Sequence, residues 1–202
     1  SKFFEDKLHK GEEVYYEVVG FTDTGAPIMA SAANKKLNDK AFIKQYGETT
    51  TFSYGCEAPQ SELYVYRMTM TNEDGDVVEY SPDFMRYRCE QMGCKTVPVM
   101  WKGFIPADET LEECYDCNGE WGTWRVIRKN TPGEWIMNMA EQYYAGPDPI
   151  GKTHTREGVV VRIVNKPKFC AYKYKNFEFK CLEGLVKAEA EAPDMEEAQD
   201  EV

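Results

Sequence analysis

Glu157, Lys173 and Lys175 are the residues whose types and spacing could do chemistry. Glu157 opens the run Glu157-Gly158-Val159-Val160-Val161-Arg162, whose β-branched residues favour a strand. Asn165-Lys166-Pro167-Lys168 breaks that run as a turn, and a second strand-like run rich in aromatics extends from Phe169 to Lys180. Residues two apart on a strand share a face, so Lys173 and Lys175 point together and Tyr172 and Tyr174 point away. Two ammonium groups on one face repel unless an anion lies between them. Phosphate is a natural partner, since lysine binds it as a point charge. Glu157, delivered at the head of the preceding strand, could accept from a ribose hydroxyl or hold a magnesium ion. The competing reading is a solvated edge strand whose lysines block aggregation.

The elements that would position this site follow from patterning. Glu12 to Phe21 reads as a strand with Val14, Tyr16 and Val18 on one face and Tyr15, Glu17 and Val19 on the other. Glu17 is then an acid on a partly apolar face, a placement that calls for a partner. Thr22-Asp23-Thr24-Gly25 is a turn, and Ile28 to Ile43 is a loop or insertion with some helix. Leu63 to Thr71 is a strand on which Tyr64 and Tyr66 share a face. Asn72-Glu73-Asp74-Gly75 turns it into a partner strand, Asp76 to Tyr80. Ser81 and Pro82 start a helix that Gly93 ends. Val97 to Trp101 reads as a short strand and Asp108 to Cys117 as a short helix, while Asn118 to Asn130 has no assignable element. Thr131-Pro132-Gly133-Glu134 opens a helix over Trp135 to Tyr144, with Trp135, Met139 and Tyr143 at core-facing spacing. Phe177 to Lys187 finishes as a helix, and the acidic remainder from Ala188 reads as disordered.

The segments just described resemble motifs of the covalent nucleotidyltransferase superfamily, the ATP-dependent RNA and DNA ligases and mRNA capping enzymes, and the RNA ligase branch in particular. Glu157 to Arg162 is similar to motif IV. Lys173-Tyr174-Lys175-Asn176-Phe177-Glu178-Phe179-Lys180 is similar to motif V. Tyr15-Tyr16-Glu17-Val18-Val19-Gly20-Phe21 resembles motif III, and Leu63-Tyr64-Val65-Tyr66-Arg67 resembles motif IIIa. The resemblance covers about residues 12 to 187 in the family order. It implies an α+β fold of largely antiparallel sheets with flanking helices, the nucleotidyltransferase (adenylation) domain of the ATP-grasp-like ligase type. It implies joining of RNA 5′-phosphate and 3′-hydroxyl ends through lysine–AMP and RNA–adenylate intermediates, as in RNA repair, with ATP and Mg2+ as cofactors. Lys173, Lys175 and Glu157 would be catalytic. Glu17, Tyr64, Tyr66, Glu157, Lys173 and Lys175 would bind the nucleotide, with Tyr64 or Tyr66 stacking on adenine, and Glu17 and Glu157 would hold magnesium. The family's nucleophilic lysine, in a Lys-x-x-Gly or Lys-x-Asp-Gly motif well before motif III, has no counterpart. Lys7-Leu8-His9-Lys10-Gly11 has neither the spacing nor the position. The expectation is therefore that residues 1–187 are most of an adenylation domain and 188–202 an acidic tail, with an upstream segment or a second chain supplying the lysine.

Composition bounds these readings. The chain of 202 residues suits one domain with a sizeable core. Its net charge of −11 argues against a broadly basic nucleic-acid binder; seven acids and one lysine from Val186 onward hold −6 of it, leaving −5 on the rest. RNA ends would then meet a local basic pocket in an acidic protein. No apolar run reaches membrane-spanning length. Seven cysteines without disulfide-scaffold spacing suit a reduced, cytoplasmic protein. Cys114 and Cys117 form a Cys-x-x-Cys pair that could be half of a zinc site with Cys89 and Cys94. His154 falls in the loop before Glu157. Three other functions compete with RNA ligation: a non-catalytic nucleotide- or RNA-end-binding module lacking the nucleophile, a DNA ligase or capping enzyme, and a purely structural antiparallel domain.

Overall fold

Strand-forming residues concentrate in two places, around Glu12–Thr71 and around Gly158–Lys175, and each becomes a sheet. The computed structural model describes residues 2–105, 110–115, 121–127, 131–164, 166, 168–185 and 195–197. In chain order the strands and helices are β1 (Glu12–Gly20), β2 (Ala32–Ala33), α1 (Lys40–Tyr46), β3 (Thr49–Thr50), β4 (Ser61–Thr71), β5 (Val77–Glu79), α2 (Pro82–Met92), β6 (Lys95–Thr96), β7 (Thr110–Tyr115), β8 (Trp121–Ile127), α3 (Pro132–Tyr143), β9 (Gly158–Arg162), β10 (Ala171–Lys175), α4 (Phe177–Glu183) and β11 (Met195–Glu197). The fold is mixed α+β with small, mostly antiparallel sheets. Two compact units divide the chain, residues 1–98 with 144–202, and residues 99–143.

In the first unit, β4 lies between β1 and β5, antiparallel to both, and β6 adds parallel pairing at Tyr64 and Val65. Leu63, Val65, Met68 and Met70 of β4 pack with Val14 and Tyr16 against Phe4, Met85, Cys89 and Met92. A strict alternation could not place both Val65 and Met68 on this face. A bulge resolves the conflict: Tyr15 faces Arg67 and Tyr16 faces Val65, so Tyr66 is the extra residue on β4. Tyr66 and Arg67 thereby emerge together on the face opposite the core, alongside Tyr15. Val18, expected with Val14 and Tyr16, is 40% exposed because it lies beyond the end of this cluster. The β4–β5 hairpin turns where expected, with Asn72 Oδ1 accepting from the N–H groups of Asp74 and Asp76. α2 begins and ends at the anticipated signals, its Ser81 hydroxyl capping the Phe84 N–H and Gly93 taking the left-handed C-cap at φ 71°.

A second sheet runs β11-β10-β9, antiparallel throughout. The Ile28–Ile43 region resolves into β2, a 3-10 turn at Asn34–Leu37 and the start of α1. β2 pairs with β3. Phe42, Phe52, Phe179 and Leu182 form the second buried cluster, which seats α4.

In the other unit β7 and β8 form an antiparallel hairpin, and α3 opens with the reciprocal Thr131–Glu134 capping box. Trp135, Met139 and Tyr143 are half-buried on one face of α3, at the expected spacing, and Trp135 packs against Trp101 with ring centroids 5.3 Å apart.

The structure differs from the sequence expectations at five elements. Thr110–Tyr115 is a strand, where Asp108 to Cys117 was expected to be helical, and β8 occupies the segment that patterning left unassigned. Alternating Leu111, Glu113 and Tyr115 fit a strand as well as a single helical turn, and the pairing with β8 decides between them. The short strand near Val97 lies instead at Lys95–Thr96, where it can reach the free edge of β4. The Phe169–Lys180 run is a strand only to Lys175, since Asn176 caps a helix. Within the acidic tail, Met195–Glu197 adds to the open edge of β10, although disorder was expected; an unpaired strand edge is a template for such addition. The rest of the tail expected to be disordered, at 188–194 and 198–202, lies outside the described residues, as does Cys117. No described helix is long and apolar enough to cross a membrane.

Candidate functional site

The β9–β10 register builds the site. Lys173 pairs opposite Val160 and Lys175 opposite Gly158, so both lysines lie beside the residue that enters β9. Glu157 Oε1 accepts from Lys173 Nζ at 2.7 Å and lies 3.7 Å from Lys175 Nζ. Lys175 is also ion-paired with Glu183 of α4. The arrangement demands glycine at 158. Its φ is 152°, and a Cβ there would fall 2.1 Å from the Tyr174 carbonyl oxygen and 2.8 Å from the Lys175 Cα. Glycine allows β9 to approach β10 closely enough for Glu157 to reach both ammonium groups.

Burial opposes a charge on Lys173, but the Glu157 carboxylate beside it prevails, with further help from Glu183 and Glu17, and its pKa is raised. Lys173 therefore stays charged throughout the neutral range. Lys175 is the more enclosed of the two, its side chain 15% exposed against 40% for Lys173.

Asn176 fixes the approach. Its backbone N–H donates to the Glu157 carbonyl at 2.7 Å, and its amide group donates to the Arg156 carbonyl and the Thr155 hydroxyl. Its side-chain oxygen caps α4 at the Glu178 N–H. One buried asparagine thus ties the strand carrying the lysines to the segment carrying Glu157, and starts the helix that brings Glu183 to Lys175.

The β1–β4 sheet carries Glu17, Tyr64 and Tyr66. Glu17 is exposed on β1, opposite Tyr64 in register. Burial first, and then the Glu17 charge, raise the pKa of Tyr66. Glu17 is also the smallest of the charges that raise the pKa of Lys173. Of the two tyrosines expected to offer a stacking surface, Tyr66 is 40% exposed and Tyr64 is 9% exposed. Tyr64 lies beneath Lys95, whose ammonium is 5.8 Å from its ring centre. Tyr66 is the one with an open ring.

A cationic clamp joins the sheets behind the site. Arg67 Nε donates to Glu79 at 2.9 Å, while Arg162 donates to the Tyr80 carbonyl at 2.8 Å and to Glu79 at 3.4 Å. The Phe169 ring lies 4.2 Å from the Arg67 guanidinium and 5.3 Å from that of Arg162. Arg162 ends β9, so the clamp sets where β9 lies relative to β4 and β5.

Among the described residues, no three of His, Cys, Asp and Glu lie close enough together to form a metal cage. Cys89 is 1% exposed within the hydrophobic core, and the Cys94 thiol lies 3.6 Å from its carbonyl oxygen. Glu183 and Asn176 take site-building roles that sequence patterning did not assign. The capping signal at Asn176 was present in the sequence; the return of Glu183 depends on the direction of α4.

No family model, no curated protein and no solved structure matches the chain.

Proposed function

We propose that the chain carries the nucleotide-phosphate site of an ATP-dependent RNA ligase of the covalent nucleotidyltransferase type, with the finer fold that this implies. One observation carries the reading: Lys173 and Lys175, on one face of β10, converge on Glu157, which stands where an anion is needed between two ammonium groups. The motif resemblance is what brings nucleotide phosphate to this lysine pair as a second anion.

In this reading the two lysines exchange part of their contact with Glu157 for phosphate oxygens and neutralise the charge that builds as the α-phosphorus is attacked. The attack forms a phosphorus–nitrogen bond to a lysine outside these residues and breaks the bond to pyrophosphate. Lys175, held from the far side by Glu183, fixes the phosphate position. Glu157 and Glu17 accept from ribose hydroxyls or hold magnesium, which neutralises phosphate charge when bound. Tyr66 is the platform for the base, and the RNA 5′-phosphate is the acceptor of AMP. The Lys7 ammonium donates to the Met92 carbonyl at 2.9 Å and lies 3.4 Å from the Phe3 ring centre.

The test is adenylylation with α-labelled ATP and magnesium, on this chain and on a form extended upstream. Label on lysine in the extended form, abolished by Lys175→Ala with the fold intact, is the expected result. Label retained by Lys175→Ala contradicts the role given to that residue. No label on a folded extended form favours a nucleotide- or RNA-end-binding module instead.

A further inference from the structure

β10 has two edges. β9 pairs with one, and β11, from the acidic tail, pairs with the other. The β10–β11 register sets Met195 opposite Tyr174, Glu196 opposite Lys173 and Glu197 opposite Tyr172. Residues directly opposite in an antiparallel pair share a face of the sheet. Glu196 is therefore placed on the face of the lysine pair, and Glu197 on the other. Lys173 meets acids from both sides of its strand. Glu157 is 2.7 Å away on the β9 side, and Glu196 holds the register position on the β11 side.

The tail sequence suits this register. Met195 is the only large apolar residue between 188 and 201, and it falls opposite Tyr174, which is 2% exposed. A slip of one residue would move Met195 off Tyr174 and turn every position to the other face. The charges match as well. β10 carries two lysines and no acid, whereas the chain from Val186 onward carries seven acids and one lysine. Nine residues, 186–194, lie between Leu185 and β11. A partner on so short a tether is present at an effective concentration on the order of millimolar. Yet three paired residues make a marginal strand. A ligand with its own claim on Lys173 can displace it.

We propose that the acidic tail is an autoinhibitory strand: β11 docks on the outer edge of β10 and sets Glu196 at the lysine that nucleotide phosphate must reach. The proposal rests on the nucleotide-phosphate reading and adds a means of regulating that site. A carboxylate and a phosphate compete for the same ammonium group. Tail docking and nucleotide binding therefore oppose one another, and by linkage each weakens the other to the same degree. The tail raises the nucleotide concentration at which the site fills.

The test is calorimetric titration of the 202-residue chain with AMP at low ionic strength, for the unaltered protein, Glu196→Gln and Glu197→Gln. Each substitution removes one negative charge from the same strand, but only Glu196 stands opposite Lys173. Relief of one competing charge predicts an affinity about fivefold tighter in Glu196→Gln, and none of that gain in Glu197→Gln. Amide hydrogen exchange at 195–197 should also quicken when AMP is added to the unaltered chain, because the ligand displaces the strand. Equal tightening in both variants marks a general effect of tail charge and overturns the proposal. Unchanged affinity in Glu196→Gln, or exchange that bound AMP does not alter, overturns the role of the tail and leaves the phosphate site standing. No AMP binding by any of the three proteins, each folded, overturns the underlying reading together with the proposal.

Discussion

Lys173 and Glu157 are sixteen residues apart in sequence and 2.7 Å apart in space. The contact does not come from a tight turn. It follows from β-sheet register, which sets Lys175 opposite Gly158 and so brings the residue before Gly158 within reach of both lysines. The site is therefore as well defined as the β9–β10 pairing.

Replacing Glu157 by glutamine separates binding from stability. Glu157 and Lys173 are each more than a third exposed, so their pair contributes at most about 1 kcal/mol. Glu157→Gln should lower Tm by only a few degrees and weaken nucleotide binding tenfold or more. The raised pKa of Lys173 sets the pH window: the pair's contribution is fully present below the unfolded-state value of about 10.4 and is lost as pH rises through the folded value. Thermal melts from pH 7 to 11 check the sign.

Gly158→Ala attacks the register directly. The added methyl meets the Tyr174 carbonyl, and the left-handed backbone adds strain of about 1–3 kcal/mol. Denaturant titration should show a loss of at least that size, with nucleotide binding abolished. Gly25→Ala is the control, since nothing lies within 4 Å of its added methyl, although its own φ of 83° brings backbone strain. It should cost stability and leave binding intact.

Glu12 sets the acid limit of the fold. Burial raises its pKa, but hydrogen bonds from Arg88, the His9 N–H and Tyr80 outweigh that effect and hold it at about 2. A carboxyl lowered in the folded state stabilises above its unfolded value and loses that contribution as pH falls toward the folded one. Stability should thus decline between about pH 5 and 2. Glu12→Gln leaves Arg88 buried without its charge partner, which costs about 3–5 kcal/mol. The acid-induced decline should flatten in this variant.

Arg162→Lys keeps the charge but loses the planar fork that serves the Tyr80 carbonyl and Glu79 together. It should weaken nucleotide binding several-fold by loosening β9 against β5. Chemical shifts of β9 should change while those of α2 stay in place, as two-dimensional NMR would show.

Period-two patterning made β1, β4, β9 and β10 readable in the sequence, and capping residues fixed α2 and α3, because those signals are local. The shared face of Lys173 and Lys175 followed from alternation alone. The bulge at Tyr66 was not readable: it arises from the need to bury both Val65 and Met68, a tertiary demand. Nor was the pairing of Lys175 with Glu183, which depends on the direction of α4 after Asn176. The β7 strand was misread as helix because a six-residue segment carries too little periodicity to separate the two.

The central claim is that Lys173 and Lys175, beside Glu157, hold nucleotide phosphate, and titration of the chain with AMP and ATP, beside the Lys173→Ala/Lys175→Ala double variant, tests it most directly. Saturable binding by the unaltered chain, lost in a double variant that keeps its fold, is the predicted result. Binding that survives the double variant, or no binding by the folded unaltered chain, contradicts the claim.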